Sequence, residues 1–334
     1  MSREHTAPLV EVVRSGFVES VHHGSLVVTR PDGSVRTTLG DPDLPGYPRS
    51  ANKPLQAVGM LRAGLEVDDE DLALVCASHN GEPGHVDRVL AMLARAGLTE
   101  TDLHCPPDHP LHEPSRVEAI RHGAGPRRVA MNCSGKHAGM LTTCVNAGWA
   151  TGHYTDPKHE LQQAIAAAVV ELTGEPIAAT GVDGCGAPLF AFSLTGLARA
   201  FGRIVTARDS ADPARRVADA MRARPWLVAG TGRDDTLLML AVPGLLIKGG
   251  AEGVHAFALP DGTAVAFKIA DGAARARGPV LAAALRALGA WPANPAAASV
   301  VDGFGRGAGL VRGGGREVGE LRVTEECAAA LAVS

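Results

Sequence analysis

Three stretches of the sequence set a hydroxyl or an amine in positions that suit acyl transfer. In YPRSANKPLQAVGML, Tyr47 to Leu61, Ser50 stands three residues before Lys53 as an apolar helical pattern begins. Residues three apart share a helix face, so the Lys53 amine can lie beside the Ser50 hydroxyl and act as base to a serine nucleophile. A lysine base must be neutral, which burial or a neighbouring cation can bring about. The plainer role for Ser50 is a helix N-cap, with Pro54 in an early helical position. In CASHNGEPGH, Cys76 to His85, the run DLALVCAS reads as a strand that ends in Ser78-His79-Asn80. Ser and Asn there commonly start a turn; Ser-x-Asn is also what serine acyltransferases use to pass a proton and hold a substrate amide. In GLLIKGGAEGV, Lys248 ends an apolar strand before two glycines that allow a substrate backbone close approach.

Two further stretches carry cysteines among glycines and polar residues: MNCSGKHAGM, Met131 to Met140, and GVDGCGAP, Gly181 to Pro188. Thiolates of Cys133 and Cys185 can share a zinc ion, with Lys136, His137 or Asp183 completing a near-tetrahedral set. Cys76, Cys105, Cys144 and Cys327 read as buried small hydrophobes. The six cysteines follow no disulfide spacing and are expected to be thiols or ligands. HCPPDHPLHEP, His104 to Pro114, reads as an ordered surface loop without a ligand role, and His22 and His23 as solvated.

These residues need a scaffold. SLVVTRPDGSVRTTLG and VHAFALPDGTAVAFKIAD, near opposite ends of the chain, are hairpins with Asp-Gly turns at 32–33 and 261–262. Between them apolar residues recur at helical spacing in Leu55 to Leu65, Val86 to Leu98, Met140 to Trp149, Leu161 to Leu172 and Val217 to Met221. Asp156-Pro157 and Asp212-Pro213 each read as a cap followed by Pro at the first helical position. Strands at both ends with helices between them predict an α+β fold: one antiparallel sheet joined by both ends and covered by helices. A Rossmann sheet does not suit this order. The 334 residues suit one domain, or two intimate lobes with the helical one roughly over 50–225. Aromatics make up 4% of the chain against 46% hydrophobic residues, so close helix contacts must do the packing. GFGRGAGLVRGGGRE, Gly303 to Glu317, reads as a flexible loop. A net charge of -4 gives no basic field for nucleic acid or a membrane surface. The N-terminus lacks a signal-peptide pattern, and a cytoplasmic location is expected.

The order Ser-x-x-Lys, Ser-x-Asn, Lys-x-Gly resembles the triplet of serine β-lactamases and penicillin-binding proteins. The short interval between Ser50 and Ser78, and Gly249 in place of a threonine, count against a β-lactam substrate. RSANKPLQ, CASHNGEPGH, MNCSGKHAGML, GVDGCGAPLF and IKGGAEGV together resemble the rhizobial-type L-asparaginases, also called asparaginase II, over essentially the whole chain. That resemblance implies a serine β-lactamase-like fold and hydrolysis of L-asparagine to L-aspartate and ammonia. It pairs Ser50 with Lys53 and Ser78 with Lys248, Lys268 being a competitor for the last role. It implies zinc held by Cys133, Lys136 and Cys185, and Asp183 on the substrate α-amine. Arg49, Asn80, Asn132, His137 and Gly184 complete the implied substrate-binding set. A homodimer is the expected assembly. Two alternatives stand beside this: a related amidohydrolase acting on L-glutamine or a β-lactam, and a non-catalytic zinc-stabilised binding module in which Ser50 is a cap.

Overall fold

The computed structural model describes residues 3–307 and 309–333. The chain forms two compact units, each assembled from separate stretches. Met1–Ala51, Phe192–Thr206 and Leu237–Ser334 make the first, and Asn52–Ala191 with Ala207–Thr236 the second.

In the first unit, seven strands among the described residues form one antiparallel sheet. Its order is Gly319–Val323, Ala7–Arg14, Phe17–Thr29, Ala264–Ile269, Val254–Ala258, Leu246–Gly249, with Val35–Leu39 also paired to Phe17–Thr29. Both ends of the chain thus meet in adjacent strands, Val10 opposite Val323 and Val12 opposite Leu321. The Asp-Gly turns fall where expected, and Gly33 and Gly262 take φ of 81° and 98°, a region that favours glycine. Val254–Ala258 and Leu246–Gly249 are buried along their whole length, on both faces, including the polar side chains of His255 and Lys248. The Leu194–Thr206 helix packs against the sheet, as do the Arg277–Ala287 and Glu325–Ala332 helices further along it. This is the α+β sheet-and-helix arrangement that the element order predicts.

The glycine-rich stretch 303–317 is more ordered than expected. The Pro295–Gly305 helix, capped by the Asn294 side chain, runs into it, and Arg312–Gly313 pairs with Arg316–Glu317; Ala308 lies outside the described residues. His22 is not solvated either. It is 5% exposed, and Arg275 Nε donates to its Nε2 at 3.0 Å, so the proton sits on Nδ1 and is donated to Asp271 at 2.6 Å.

The second unit is helical. Lys53–Arg62 runs through it with every residue but Arg62 buried, against the Glu160–Thr173, Pro213–Ala223 and Ser134–Ala147 helices. Gly59 permits that approach, since a Cβ there would fall 2.8 Å from Ile165 Cα. DLALVCAS is not a strand but the Asp69–Val75 helix, capped by Asp68, whose side chain accepts from Asp71 N at 2.8 Å. Its apolar residues are all buried, which erases the periodicity that separates helix from strand, whereas the acidic first turn marks a helix start. Asp212 caps the Pro213–Ala223 helix as predicted. Asp156-Pro157 starts none; the next helix begins at Glu160 behind a His159 cap. All six cysteines are free and buried. No described helix is long and apolar enough to cross a membrane.

Candidate active site

Ser50 lies in a 3₁₀ turn, Arg49–Asn52, that leads into the Lys53–Arg62 helix. Arg49 enters the turn at φ 51°, a left-handed conformation that costs a non-glycine residue energy. The helix N-cap is Asn52, so Ser50 does not cap it. In the same unit the end of the Leu246–Gly249 strand presses on this turn. A Cβ on Gly250 would lie 2.7 Å from the Pro48 carbonyl oxygen and 3.2 Å from Ala51 N. Gly250 thus serves the chain's own close approach, where sequence reasoning assigned it to a substrate backbone. Lys248 is fully buried in that strand and donates to the Gly249 carbonyl at 2.7 Å. Its competitor Lys268 donates to the Glu252 carbonyl at 2.7 Å and borders a cavity of about 40 Å³ with Tyr47 and Pro48. Burial lowers the Lys268 pKa, with Glu252 opposing.

In the second unit, Lys53 is 1% exposed and its Nζ donates to Ser78 Oγ at 3.0 Å, to Cys133 Sγ at 3.2 Å and to the Ala77 carbonyl. The lysine expected on Ser50 is therefore hydrogen-bonded to Ser78.

Around Cys133 the predicted metal residues come together. Cys133 precedes the Ser134–Ala147 helix, and the one proton of its thiol can go to Asn132 Oδ1, 3.0 Å away, or to the Cys185 sulfur. Lys136, one turn on, donates to Cys185 Sγ at 3.1 Å. The Cys185 pKa is lowered well below its ordinary value by the Cys133 thiol first and then by Lys136 and His137, against burial. Cys133 is raised by that same hydrogen bond and by burial. The two shifts run in opposite directions, as when neighbouring sulfurs share one proton. Burial works to discharge Lys136, but Cys185, Cys133 and Asp183 outweigh it and hold its pKa above the ordinary value. Tyr154 Oη accepts from His104 N at 2.8 Å and can then donate to His137 Nδ1 at 2.8 Å, which leaves the His137 proton on Nε2. Asp183 Oδ1 accepts from Gly184 N at 2.9 Å and its Oδ2 stands 4.0 Å from Cys185 Sγ. Two sulfurs and the Lys136 amine, once it has given up its proton, form a donor set that suits zinc with one position open. No further His, Cys, Asp or Glu joins them to make a group of three such residues among the described ones.

Beyond Ser78 the chain is fixed by groups that no short motif announces. His79 accepts from Gly81 N at 3.1 Å through Nδ1, so its Nε2–H donates to Ser134 Oγ at 2.9 Å, tying this loop to the Cys133 turn. Asn80 was expected to hold substrate, yet its amide is committed. Nδ2 donates to Glu82 at 3.1 Å and to the Thr231 carbonyl at 3.0 Å, while Oδ1 accepts from Arg233 at 3.1 Å. Glu82 in turn accepts from Thr231 N and Oγ1, each at 2.8 Å. Glu82 and Arg233 were not singled out from the sequence. The trace they leave there is a pair of glycines, Gly230 and Gly232, both at positive φ beside Arg233.

No curated protein matches the chain. Among solved structures it is similar to a β-lactamase from Mycobacterium bovis, at 18% identity over 83% of this chain and 93% of that one with a TM-score of 0.38. It is also similar to EstCE1, a hydrolase with promiscuous acyltransferase activity, at 13% identity over 80% of this chain and 89% of that one with a TM-score of 0.36. Overlaps this loose support no residue-by-residue comparison. The sequence profile of L-asparaginase II matches residues 10–323, nearly the full length, and the chain belongs to the L-asparaginase II family.

Proposed function

We propose that this hydrolase converts L-asparagine and water to L-aspartate and ammonia through a serine ester. Family membership supports the reaction class. The observation that carries the Ser-Lys chemistry is the buried Lys53 amine 3.0 Å from Ser78 Oγ, three residues along the chain from Ser50. Ser50 attacks the side-chain amide carbon and gives its proton to Lys53, which acts in its neutral form, keeping two N–H bonds and turning its lone pair to the Ser50 hydroxyl, while backbone N–H groups beside Ser50 stabilise the tetrahedral oxyanion. Ser78, paired with Lys53 and assigned a second lysine in Lys248, returns a proton to the departing nitrogen, and ammonia leaves. Water then attacks the β-aspartyl ester, and the same groups regenerate the serine. Cys133, Lys136 and Cys185 would hold the zinc, which when bound orders the two glycine-rich turns and offers a Lewis acid near the substrate. Asp183, the nearby carboxylate, takes the substrate α-amine.

A second reading is favoured by the Lys53 hydrogen bond itself: Ser78 as nucleophile, with Lys53 as its base. The two are separated by measuring ammonia release from L-asparagine, with L-glutamine alongside, for Ser50→Ala and Ser78→Ala. Mass mapping of acid-quenched wild-type enzyme then shows which peptide carries the aspartyl group. The first reading expects the ester on the Ser50 peptide and a fall of about 10³-fold or more in Ser50→Ala. Full activity in that variant removes Ser50 as nucleophile.

A further inference from the structure

We infer that Arg233 is the specificity-determining contact for the substrate α-carboxylate. The inference rests on the amidohydrolase reading above. It starts from the partners of Asn80. Both amide hydrogens of Asn80 are spent on Glu82 and Thr231, and its oxygen accepts from Arg233. Asn80 is therefore a bracket, and what it holds is a guanidinium.

Arg233 Nη1 donates to Asn80 Oδ1 at 3.1 Å and reaches the Ser78 carbonyl at 3.5 Å, so the group sits beside the serine that Lys53 contacts. The loop carrying it is pressed into place. A Cβ on Gly230 would fall 2.6 Å from the Asn80 side chain and from Glu82 Oε1, and Thr231 is fastened to Glu82 by its N–H and its hydroxyl. Glu82 is the carboxylate of this network, and it is engaged by Asn80 and Thr231, with His112 Nδ1 4.0 Å from its Oε2. Among the described residues Arg233 has no ion pair, although it is half-buried. A guanidinium has five N–H donors in a planar fork, and Nη1 takes the contacts to Asn80 and Ser78. The Nε–Nη2 edge remains, and its two parallel N–H bonds match the two oxygens of a carboxylate. A positive charge that is half-desolvated, held rigidly and lacking an anion next to Ser78 suits a substrate that brings a carboxylate with it. An α-amino acid amide does so, and a simple amide does not.

The test compares L-asparagine with 3-aminopropanamide, which keeps the amine and the amide and lacks the carboxylate. Turnover of each is followed, or inhibition by 3-aminopropanamide where its turnover is too slow. In Arg233→Gln, kcat/KM for L-asparagine falls about 10²-fold, mainly through KM, while 3-aminopropanamide is affected far less. Arg233→Lys, which keeps charge without the fork, falls between the two. The ratio of the two substrates does not depend on how much of a preparation is folded, so a purely structural role of Arg233 would lower both together. An unchanged ratio in Arg233→Gln overturns the inference. If the wild-type protein releases no ammonia from L-asparagine, the amidohydrolase reading falls, and calorimetric titration of L-asparagine decides the carboxylate contact separately. Binding by wild type that is lost in Arg233→Gln upholds it, and equal binding, or none by wild type, overturns it.

Discussion

At the scale of residues, the proposed chemistry rests on polar groups that are buried together and hydrogen-bonded to one another. His79 shows the consequence for stability. It is fully buried, and burial first, then His85, Lys53 and Arg233, hold its pKa well below the ordinary 6.5. In the unfolded chain the imidazole takes up a proton as pH falls through about 6.5, while in the folded protein it stays neutral. The unfolded state then binds more protons, so this contribution is fully present above that pH and is lost progressively below it. Chemical denaturation of wild type between pH 7 and 5 should show stability falling with acid, and His79→Gln should reduce the slope by up to about 1.4 kcal/mol per pH unit. Equal slopes would remove His79 from the account. Lys53, Cys133, Lys136 and Cys185 were legible in the sequence because short motifs place them a few residues apart or among glycines. The partnership of Lys53 with Ser78 was not, since the two stand 25 positions apart and meet only through packing. Arg233 was illegible for a different reason: its partner Asn80 is 153 positions away, a contact made by tertiary packing alone.

Elements carry these residues, and one strand end shows how closely. The Leu246–Gly249 strand delivers Lys248, and the next residue, Gly250, abuts the turn that holds Ser50. Gly250→Ala would drive a methyl group to 2.7 Å from the Pro48 carbonyl, and backbone cannot step aside as a flexible side chain does. The Arg49–Asn52 turn must shift, and with Ser50 in its proposed role as nucleophile a displacement of about 1 Å costs on the order of 10²-fold in rate. Loss of stability should be modest, about 1–3 kcal/mol, as for other overpacked sites. Ammonia-release kinetics and a melting curve on the same preparation check both; a variant with wild-type kcat would mean that the turn tolerates the move. The elements themselves were largely readable, because amphipathic helices and Asp-Gly hairpins announce their period and turns. The Asp69–Val75 helix misled because its apolar residues are all buried, and a short continuous apolar run looks alike in helix and strand.

At the scale of the whole chain, neither unit is a contiguous stretch, so cutting the sequence at one point removes a piece of a shared structure. The C-terminal segment makes the case. Gly319–Val323 pairs along Ala7–Arg14, Thr324 donates to the Leu9 and Pro8 carbonyls at 3.0 and 2.8 Å, and its side chain caps the Glu325–Ala332 helix. Leu321, Cys327 and Leu331 of this segment are at most 2% exposed. Burial of side chains of this size contributes about 1.5–3 kcal/mol each, a sum comparable with the roughly 5–15 kcal/mol that keeps a typical domain folded. A chain ending at Val318 retains every candidate residue from Arg49 to Lys248, yet it opens the edge of Ala7–Arg14 and strips the apolar cover beneath the helix. That truncated protein should aggregate or lose its cooperative unfolding transition, and it should release no ammonia from L-asparagine. Circular dichroism melts and the ammonia assay are the measurements. Lys248 lies on the strand at the opposite end of the sheet order, so an active, cooperatively melting truncation would show that this edge is positioned without the terminal strand, and that the meeting of the two chain ends serves something other than the site.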